Sequence, residues 1–337
     1  MNRELAEKDA DAVLYEGYML YPYRPSALKN RQRWSFGTIY PPAYEEVGRG
    51  TEAATMHTEC LLTVREGAAV HLRLRFLHLL ARQVVNAASE QVASMAVDGA
   101  MLESWDEGVS RSVEIELACL DGPPLLMPFE FAGTQQAESV RDASGEFLGS
   151  VSRAQKELNG TISCSAEKVR DKLYKLAIDV HNETVLSGSE SDRTAALLQS
   201  FLSAHTILSA KNAEFISLMD PPEELRDTVS GCKNVGNFPV LVGEVGSRDV
   251  LLCSPIVLYD YPQIAPESAG DFFDATEMDE MLTLRVMTLT DEEKDEMSRA
   301  DSHARTLLQR TEDSARQQLM RTHGVIRSLR PVGEKHD

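Results

Sequence analysis

The amino-acid sequence predicts an α+β protein with an antiparallel β-sandwich-like N-terminal part, a helical insertion and a helical C-terminal region. Short alternating apolar segments separated by Gly and Pro recur as far as residue 185, which is typical of antiparallel sheets. The composition changes at 186–192, where helix-start signals begin. We therefore expect a mainly β domain at 1–185 and an α+β region at 186–337. A hairpin at 238–260 in the second region can complete the N-terminal sheet.

The strand pattern of the first part is clearest at 69–79, where polar and apolar residues alternate. The apolar residues predicted to face the core are Val70, Leu72, Leu74 and Phe76. The dipeptide Glu66-Gly67 predicts a hairpin turn just before this strand. The predicted strands are 13–20, 34–39, 59–65, 69–79, 112–120, 125–131, 161–166 and 173–181.

The second part mixes helices with one hairpin. Helix-start residues predict a helix at 192–206 and another after Pro222, since Asp is a good N-cap and Pro suits the first helical turn. Two apolar segments, 240–244 and 249–260, flank a Gly-containing turn and predict the hairpin. The chain from 276 onward is predicted to be helical.

Composition limits the classes of function. The chain has 337 residues and a formal net charge of −19, which argues against binding to nucleic acid or anionic lipid. No apolar run approaches the ~18 residues that a membrane-spanning helix needs. Residues 1–11 are charged and lack the apolar core of a secretory signal. Five cysteines with no CxxC spacing indicate reduced thiols, so we expect a cytoplasmic protein.

Signatures of the common enzyme classes are missing from the sequence. There is no phosphate-binding loop that ends in Lys-Ser/Thr, no GxGxxG, no HExxH and no GxSxG. A catalytic triad is recognised by geometry, so these absences do not exclude an enzyme. We predict no catalytic residues and no cofactor, and a non-enzyme is favoured.

A cluster of acidic residues near the C-terminal part of the chain indicates the main alternative function. Asp271, Asp274, Glu277 and Glu280 lie close together, and converging carboxylates are ligands for a hard divalent cation. A metal-dependent enzyme is therefore the alternative prediction. If Thr276 is instead the N-cap of a helix, the same acids complement the positive end of its dipole, and this structural explanation is favoured.

Two weaker candidate sites each have a structural explanation. His205 and Cys232 form a catalytic pair only if the fold brings them together, and a buried cysteine is more often a small hydrophobe. The Gly-rich loops at 231–249 either line a site, with Glu244 and Asp249 as further ligands in the metal alternative, or form an ordinary polar hairpin tip. The structural explanation is favoured in both cases.

The opening segment is rich in aromatic and basic residues, unlike the rest of this acidic chain. Tyr, Trp and Arg dominate the energetically important contacts of protein interfaces, so the segment is a candidate interaction patch. Its alternating pattern is equally consistent with strands of the core. The residues of the predicted patch are Tyr21, Tyr23, Arg24, Lys29, Arg31, Arg33 and Trp34.

Four stretches carry a resemblance to a known family: LYEGYMLYPYRPSALKNRQRWSFGTIYPPAY, AEFISLMDPPEEL, CKNVGNFPVLVGEVGSRD and the segment from LLCSPIVLYDYPQIAP to LTDEEK. They resemble an uncharacterised bacterial family associated with the gene clusters of uptake nickel–iron hydrogenases. The resemblance implies a role in making, assembling or tethering a hydrogenase and supplies no catalytic residues. We expect a non-catalytic accessory or assembly protein that binds a hydrogenase subunit or maturation factor.

Overall fold

One strand of 32 residues, β1 (Thr55–Asn86), organises the sheet. The fold is taken from a computed structural model that describes residues 6–7, 10–11, 36–47, 52–98, 100–186 and 192–262. At about 3.3 Å per residue, β1 would measure roughly 100 Å if it were straight. The remaining strands of the described residues are β2 (Gln91–Val92), β3 (Ser94–Val97), β4 (Ala100–Glu103), β5 (Trp105–Leu117), β6 (Leu125–Phe131), β7 (Thr134–Arg141), β8 (Phe147–Gln155), β9 (Leu158–Arg170), β10 (Leu173–Asn182), β11 (Leu202–Ile216), β12 (Phe238–Leu241) and β13 (Val250–Ser254).

The main section of the sheet has the strand order β12–β13–β11–β1–β10–β9–β6, and its neighbouring strands are antiparallel. One face carries a single apolar core to which strands from both ends of this order contribute, so the sheet curls around its contents. The core face of β1 is the one that alternation predicts, because Val70, Leu72, Leu74 and Phe76 are all fully buried. Phe76 also packs against Phe201, with ring centroids 4.6 Å apart.

The C-terminal end of β1 belongs to a second part of the sheet, which we call the distal section. Here the strand order is β5–β1–β8–β7, because β5 and β8 pair with opposite edges of β1 at Arg82. β8 pairs with β1 from Leu80 to Asn86, beyond the point at which β11 ends its pairing at Leu77. The short strand β2 pairs with β1 near its end, and β3 and β4 form a separate two-stranded sheet.

Helices play a small part in the described residues. Besides the helical residues 6–7 and 10–11, they are α1 (Pro42–Val47), α2 (Arg193–Leu197), α3 (Arg226–Ser230) and a 3-10 turn at Glu223–Leu225. Leu225 beside α3 covers an apolar patch at one end of β1 that includes Leu61 and Leu173. The helical residues Ala6 and Ala10 cover another patch, on the outer face of β11, β12 and β13.

The α+β prediction is wrong for the described residues, which are mostly antiparallel sheet. The predicted helix at 192–206 shrinks to the five residues of α2, and the chain then enters β11 at Leu202. Residues 202–208 are buried on both faces, and such a run lacks the period of two that marks a strand. The predicted helix after Pro222 is only the 3-10 turn and α3. The predicted C-terminal helices lie outside the described residues.

The predicted hairpin at Glu66-Gly67 is also wrong, because β1 continues through this point. The pairing of β1 with β11 shifts register between Val64 and Ala69, so the extra residues form an irregularity within one strand. Gly67 has a φ of +71°, a conformation that glycine adopts without steric cost and that serves a bulge as well as a turn. The predicted strand at 125–131 coincides with β6, and β12 and β13 of the predicted hairpin join the same sheet as β1.

Candidate interaction surface

The residues of both predicted sites lie outside the described residues. This applies to the aromatic and basic patch of Tyr21, Tyr23, Arg24, Lys29, Arg31, Arg33 and Trp34, and to the carboxylates Asp271, Asp274, Glu277 and Glu280. Both sites therefore stay predictions. The part of the chain that the structure describes adds a surface that the sequence did not indicate.

His205 and Cys232 are far apart. His205 lies on β11, where it pairs with Arg75 of β1. Cys232 packs beside Ile216, which is eleven positions after His205 on β11. At about 3.3 Å per residue this separates them by on the order of 30 Å. Burial raises the pKa of the Cys232 thiol, which makes the reactive thiolate harder to form. The two residues do not form a catalytic pair.

The Gly-rich loops have structural partners. The Glu244 carbonyl accepts hydrogen bonds from the backbone N–H and the hydroxyl of Ser247, at 2.9 and 2.6 Å, which closes the tip of the β12–β13 hairpin. In the other loop, Asn234 and Asn237 bond to the backbone of β1 through their side-chain amides. The first loop therefore forms an ordinary hairpin tip, and the second is fixed against β1.

A polar cluster crosses the outer face of β1, β10 and β9. His57 Nδ1 lies 2.6 Å from Asp179 Oδ1, and the Ser163 hydroxyl donates to Asp179 Oδ2 at 3.2 Å. In a serine-hydrolase triad the imidazole lies between the hydroxyl and the carboxylate. Here the carboxylate is central, so it orients His57 but leaves Ser163 without a base. The cluster is suited to cross-strand pairing rather than nucleophilic catalysis.

Strand β7 is the most exposed strand of the distal section. Seven of its eight residues are exposed and only Val140 is partly covered. Among the described strands it pairs with β8 alone, so its other edge carries backbone N–H and C=O groups that no described strand satisfies. Such an edge is a template for an added strand. At about 3.4 Å per residue the edge is roughly 27 Å long.

A tight turn joins β7 to β8 and sets their pairing. The Asp142 carboxylate accepts hydrogen bonds from the Ser144 hydroxyl at 2.6 Å and from two backbone N–H groups. The Ser144 hydroxyl is the main cause of a lowered pKa for Asp142, with the backbone N–H of Glu146 next. Gly145 completes the turn at a φ of +87°. The Asp and Gly of this turn were the available sequence signal for the hairpin, since both are typical turn residues.

Close packing holds β8 against β1. A Cβ atom on Gly149 would lie 2.0 Å from the Val85 carbonyl oxygen, which is a severe clash with backbone. Gly149 pairs with Asn86 on one side and Val140 on the other, so it sits in the centre of three strands. The position of β7 therefore depends on a glycine at this point.

Buried and partly buried polar residues anchor the distal section to the main section. The Arg111 guanidinium donates to Gln155 Oε1 at 2.9 Å and lies over the Phe131 ring, 5.0 Å from its centroid. Gln155 in turn donates to the carbonyl of His78. The His78 side chain is fully buried, and burial, with the nearby Arg111 charge, lowers the pKa of its imidazole to about 4. These contacts join three strands, β1, β5 and β8, at the base of the distal section.

The charge of the distal section sets the chemistry of its partner. Residues 78–155, which comprise the distal section together with β6 of the main section, contain twelve Asp and Glu residues and four Arg residues, with no Lys. Strand β7 itself carries one of each sign, Glu138 and Arg141, so its edge has no net charge. An acidic surround favours a basic partner by electrostatic complementarity, while a neutral edge imposes no repulsion on an added strand.

In the described residues, no group of three or more His, Cys, Asp or Glu side chains is placed to hold a metal ion. None of the helices in the described part of the chain combines the length and the apolar character needed to cross a membrane.

Comparison with known proteins does not identify a family. No protein-family profile matches the chain, and no curated protein matches it. Among solved structures, part of the chain is similar to the secretin InvG of the Salmonella SPI-1 type III secretion injectisome, with 11% sequence identity and a TM-score of 0.15. The similarity covers 50% of this chain and 48% of that chain, so this chain spans about half the length of that protein. A TM-score this low supports no conclusion about fold or function.

Proposed function

We propose that the protein is a non-catalytic, cytoplasmic accessory or assembly protein that binds a protein partner through the outer edge of β7. The observation that carries this proposal is the exposure of β7 together with its pairing to β8 alone among the described strands. An extended partner segment gains main-chain hydrogen bonds by adding to such an edge, and the exposed side chains supply specificity. The sequence resemblance supports a nickel–iron hydrogenase subunit or maturation factor as the partner.

Adjacent residues of β7 provide a matched pair of variants. Successive backbone N–H groups of a strand point to opposite edges, so of Ala137 and Glu138 one directs its N–H toward β8 and the other outward. Proline removes an N–H. Of the variants Ala137→Pro and Glu138→Pro, one therefore disrupts the β7–β8 ladder and the other alters only the outer edge. Hydrogen exchange at β8 distinguishes them.

Copurification from native cells tests the proposal. Tagged wild-type protein is expected to recover a hydrogenase component, and the outer-edge variant is expected to recover about tenfold less, which corresponds to about 1.4 kcal/mol of binding. If wild-type protein recovers no hydrogenase component, the proposed partner is wrong. If both proline variants recover as much as wild type, β7 is not the binding edge.

Metal analysis of the purified protein tests the alternative enzyme. A stoichiometric divalent ion that is lost in the Asp274→Ala variant would favour the metal-dependent enzyme of the 271–280 cluster. Metal-free wild-type protein that still binds its partner would favour the accessory role.

A further inference from the structure

An apolar patch on the outer face of β11, β12 and β13 is covered by the chain's own N-terminal helical residues. Ala6 and Ala10 are both fully buried against it. They are four positions apart in helical residues, so their methyl groups lie on one face of a helix. The buried residues of the patch are Ile207, Val240, Val242, Val250 and Leu252. We call this patch the outer groove and residues 6, 7, 10 and 11 the strap.

Two arginines of β1 line one side of the outer groove and pair with the strap. Arg73 Nη1 lies 2.8 Å from Glu7 Oε1, and Arg75 Nη2 pairs with Asp11 Oδ1. Glu7 and Asp11 are again four positions apart, directly after the two buried alanines. The strap therefore presents small apolar residues to the groove and carboxylates to the arginines, and each kind recurs after four positions, as on one face of a helix.

The strap contributes little of its own to this contact. Only two methyl groups among its described residues fill the groove, and apolar burial scales with the area removed from water. The carboxylate side chains of both ion pairs are well exposed, 36% for Glu7 and 51% for Asp11, and such pairs are weak. The groove and its arginines, by contrast, are fixed by the sheet. A helix with larger apolar residues would gain more in the same place.

We propose that the strap is autoinhibitory and that the outer groove binds an acidic amphipathic helix of a partner protein. The helix would place apolar residues at positions i and i+4 over the groove, and carboxylates at i+1 and i+5 beside Arg73 and Arg75. The chain's own strap shows that the groove accepts this chemistry, and the two arginines complement the carboxylates. This site is separate from β7 and does not depend on the hydrogenase partner.

A labelled peptide that copies residues 1–14 is the probe, and its binding to the full-length protein is measured by fluorescence anisotropy. In wild type the tethered strap competes at high effective concentration. In the variant Ala6→Asp/Ala10→Asp the strap is displaced by two buried charges, and we expect the peptide to bind at least about tenfold more tightly than to wild type. A scrambled peptide of the same composition is the control and is expected not to bind.

A charge swap separates recognition from folding. In the variant Ala6→Asp/Ala10→Asp, which we call the released variant, the further change Arg75→Glu is expected to abolish binding of the peptide. A peptide carrying Asp11→Arg is expected to restore binding. Should the double variant fail to fold, Glu7→Lys replaces it, since this side chain is well exposed and its loss weakens only an ion pair. Equal affinity of the peptide for wild type and the released variant, or no binding to either, would overturn the proposal. Binding that Arg75→Glu leaves unchanged would do the same.

Discussion

Acid is expected to destabilise this protein through two histidines that the fold buries in their neutral form. His205 and His78 have no exposed surface. Burial lowers the pKa of His205 to about 3, and the positive charges of Arg75 and Arg73 act in the same direction, while its hydrogen bond to the Ser203 carbonyl opposes them. Burial and the Arg111 charge lower the pKa of His78 to about 4. Both imidazoles stay neutral in the folded protein at pH 5.

The sign and size of the effect follow from proton linkage. An unfolded histidine has a pKa of about 6.5, so at pH 5 the unfolded chain binds protons that the folded protein does not. Stability is complete above pH 6.5 and is lost progressively as the pH falls toward the folded pKa values. Between pH 7 and pH 5 each histidine removes about 2 kcal/mol, or about 4 kcal/mol for the pair.

Urea unfolding at pH 7 and pH 5 measures this loss. In the His205→Leu variant the difference in unfolding free energy between the two pH values is expected to fall from about 4 to about 2 kcal/mol. Leu208→Ala, a change to a fully buried residue of the same strand, is the control, because it lowers stability without removing a titrating group. A wild-type protein equally stable at both pH values, or a His205→Leu variant that keeps the full loss, would refute the reasoning.

Three further predictions concern the core. Asn182→Leu is expected to lower the unfolding free energy by about 3 kcal/mol in urea titrations, because the buried amide donates to two backbone carbonyls at 3.0 and 2.9 Å, and an unchanged midpoint would contradict this role. Gly160→Ala is expected to cost about 1–3 kcal/mol, since the new Cβ would lie 2.5 Å from the Phe129 ring, and adding Phe129→Leu is expected to recover part of it. Ellman's reagent is expected to modify the exposed Cys119 in the native protein, whereas Cys253, with a pKa raised by burial to about 12, reacts only after unfolding; equal rates would contradict the buried position.

Local patterns predicted strands in which polar and apolar residues alternate, and strands that flank a clear turn. Val70 to Phe76 alternate because the core lies on one side of β1. The hairpin of β12 and β13 was predicted because its turn residues separate two apolar segments. In these elements the local pattern and the tertiary environment agree.

Strands that are buried on both faces, or exposed on both faces, were not predicted. Strand β11 is buried on both faces from Leu202 to Leu208, so its apolar run matches a buried helix as well as a strand. Strand β7 is polar on both faces, so it lacks any apolar period. Part of the double burial of β11 arises because Ala6 and Ala10, about two hundred positions away in sequence, cover Ile207 on its outer side. Leu202 packs instead in a cluster with Tyr40 and Tyr44.

The contact between the strap and the sheet also explains why Arg73 and Arg75 did not predict the outer groove. Charged residues at alternate positions of a strand predict a solvent-exposed face, and Arg73 and Arg75 fit that pattern. In the structure the Arg75 side chain is only 10% exposed, because the strap lies over it and supplies Asp11.

Arg75 is also only three positions before His78, which lies at the base of the distal section, a distance of about 10 Å along the strand. Since β1 is continuous through both sites, the outer groove and the base of the distal section keep a fixed spacing. A single partner could therefore contact both sites at once. Recovery of a single partner that is lost both in the outer-edge variant of β7 and after Arg75→Glu would be the sign of such an arrangement.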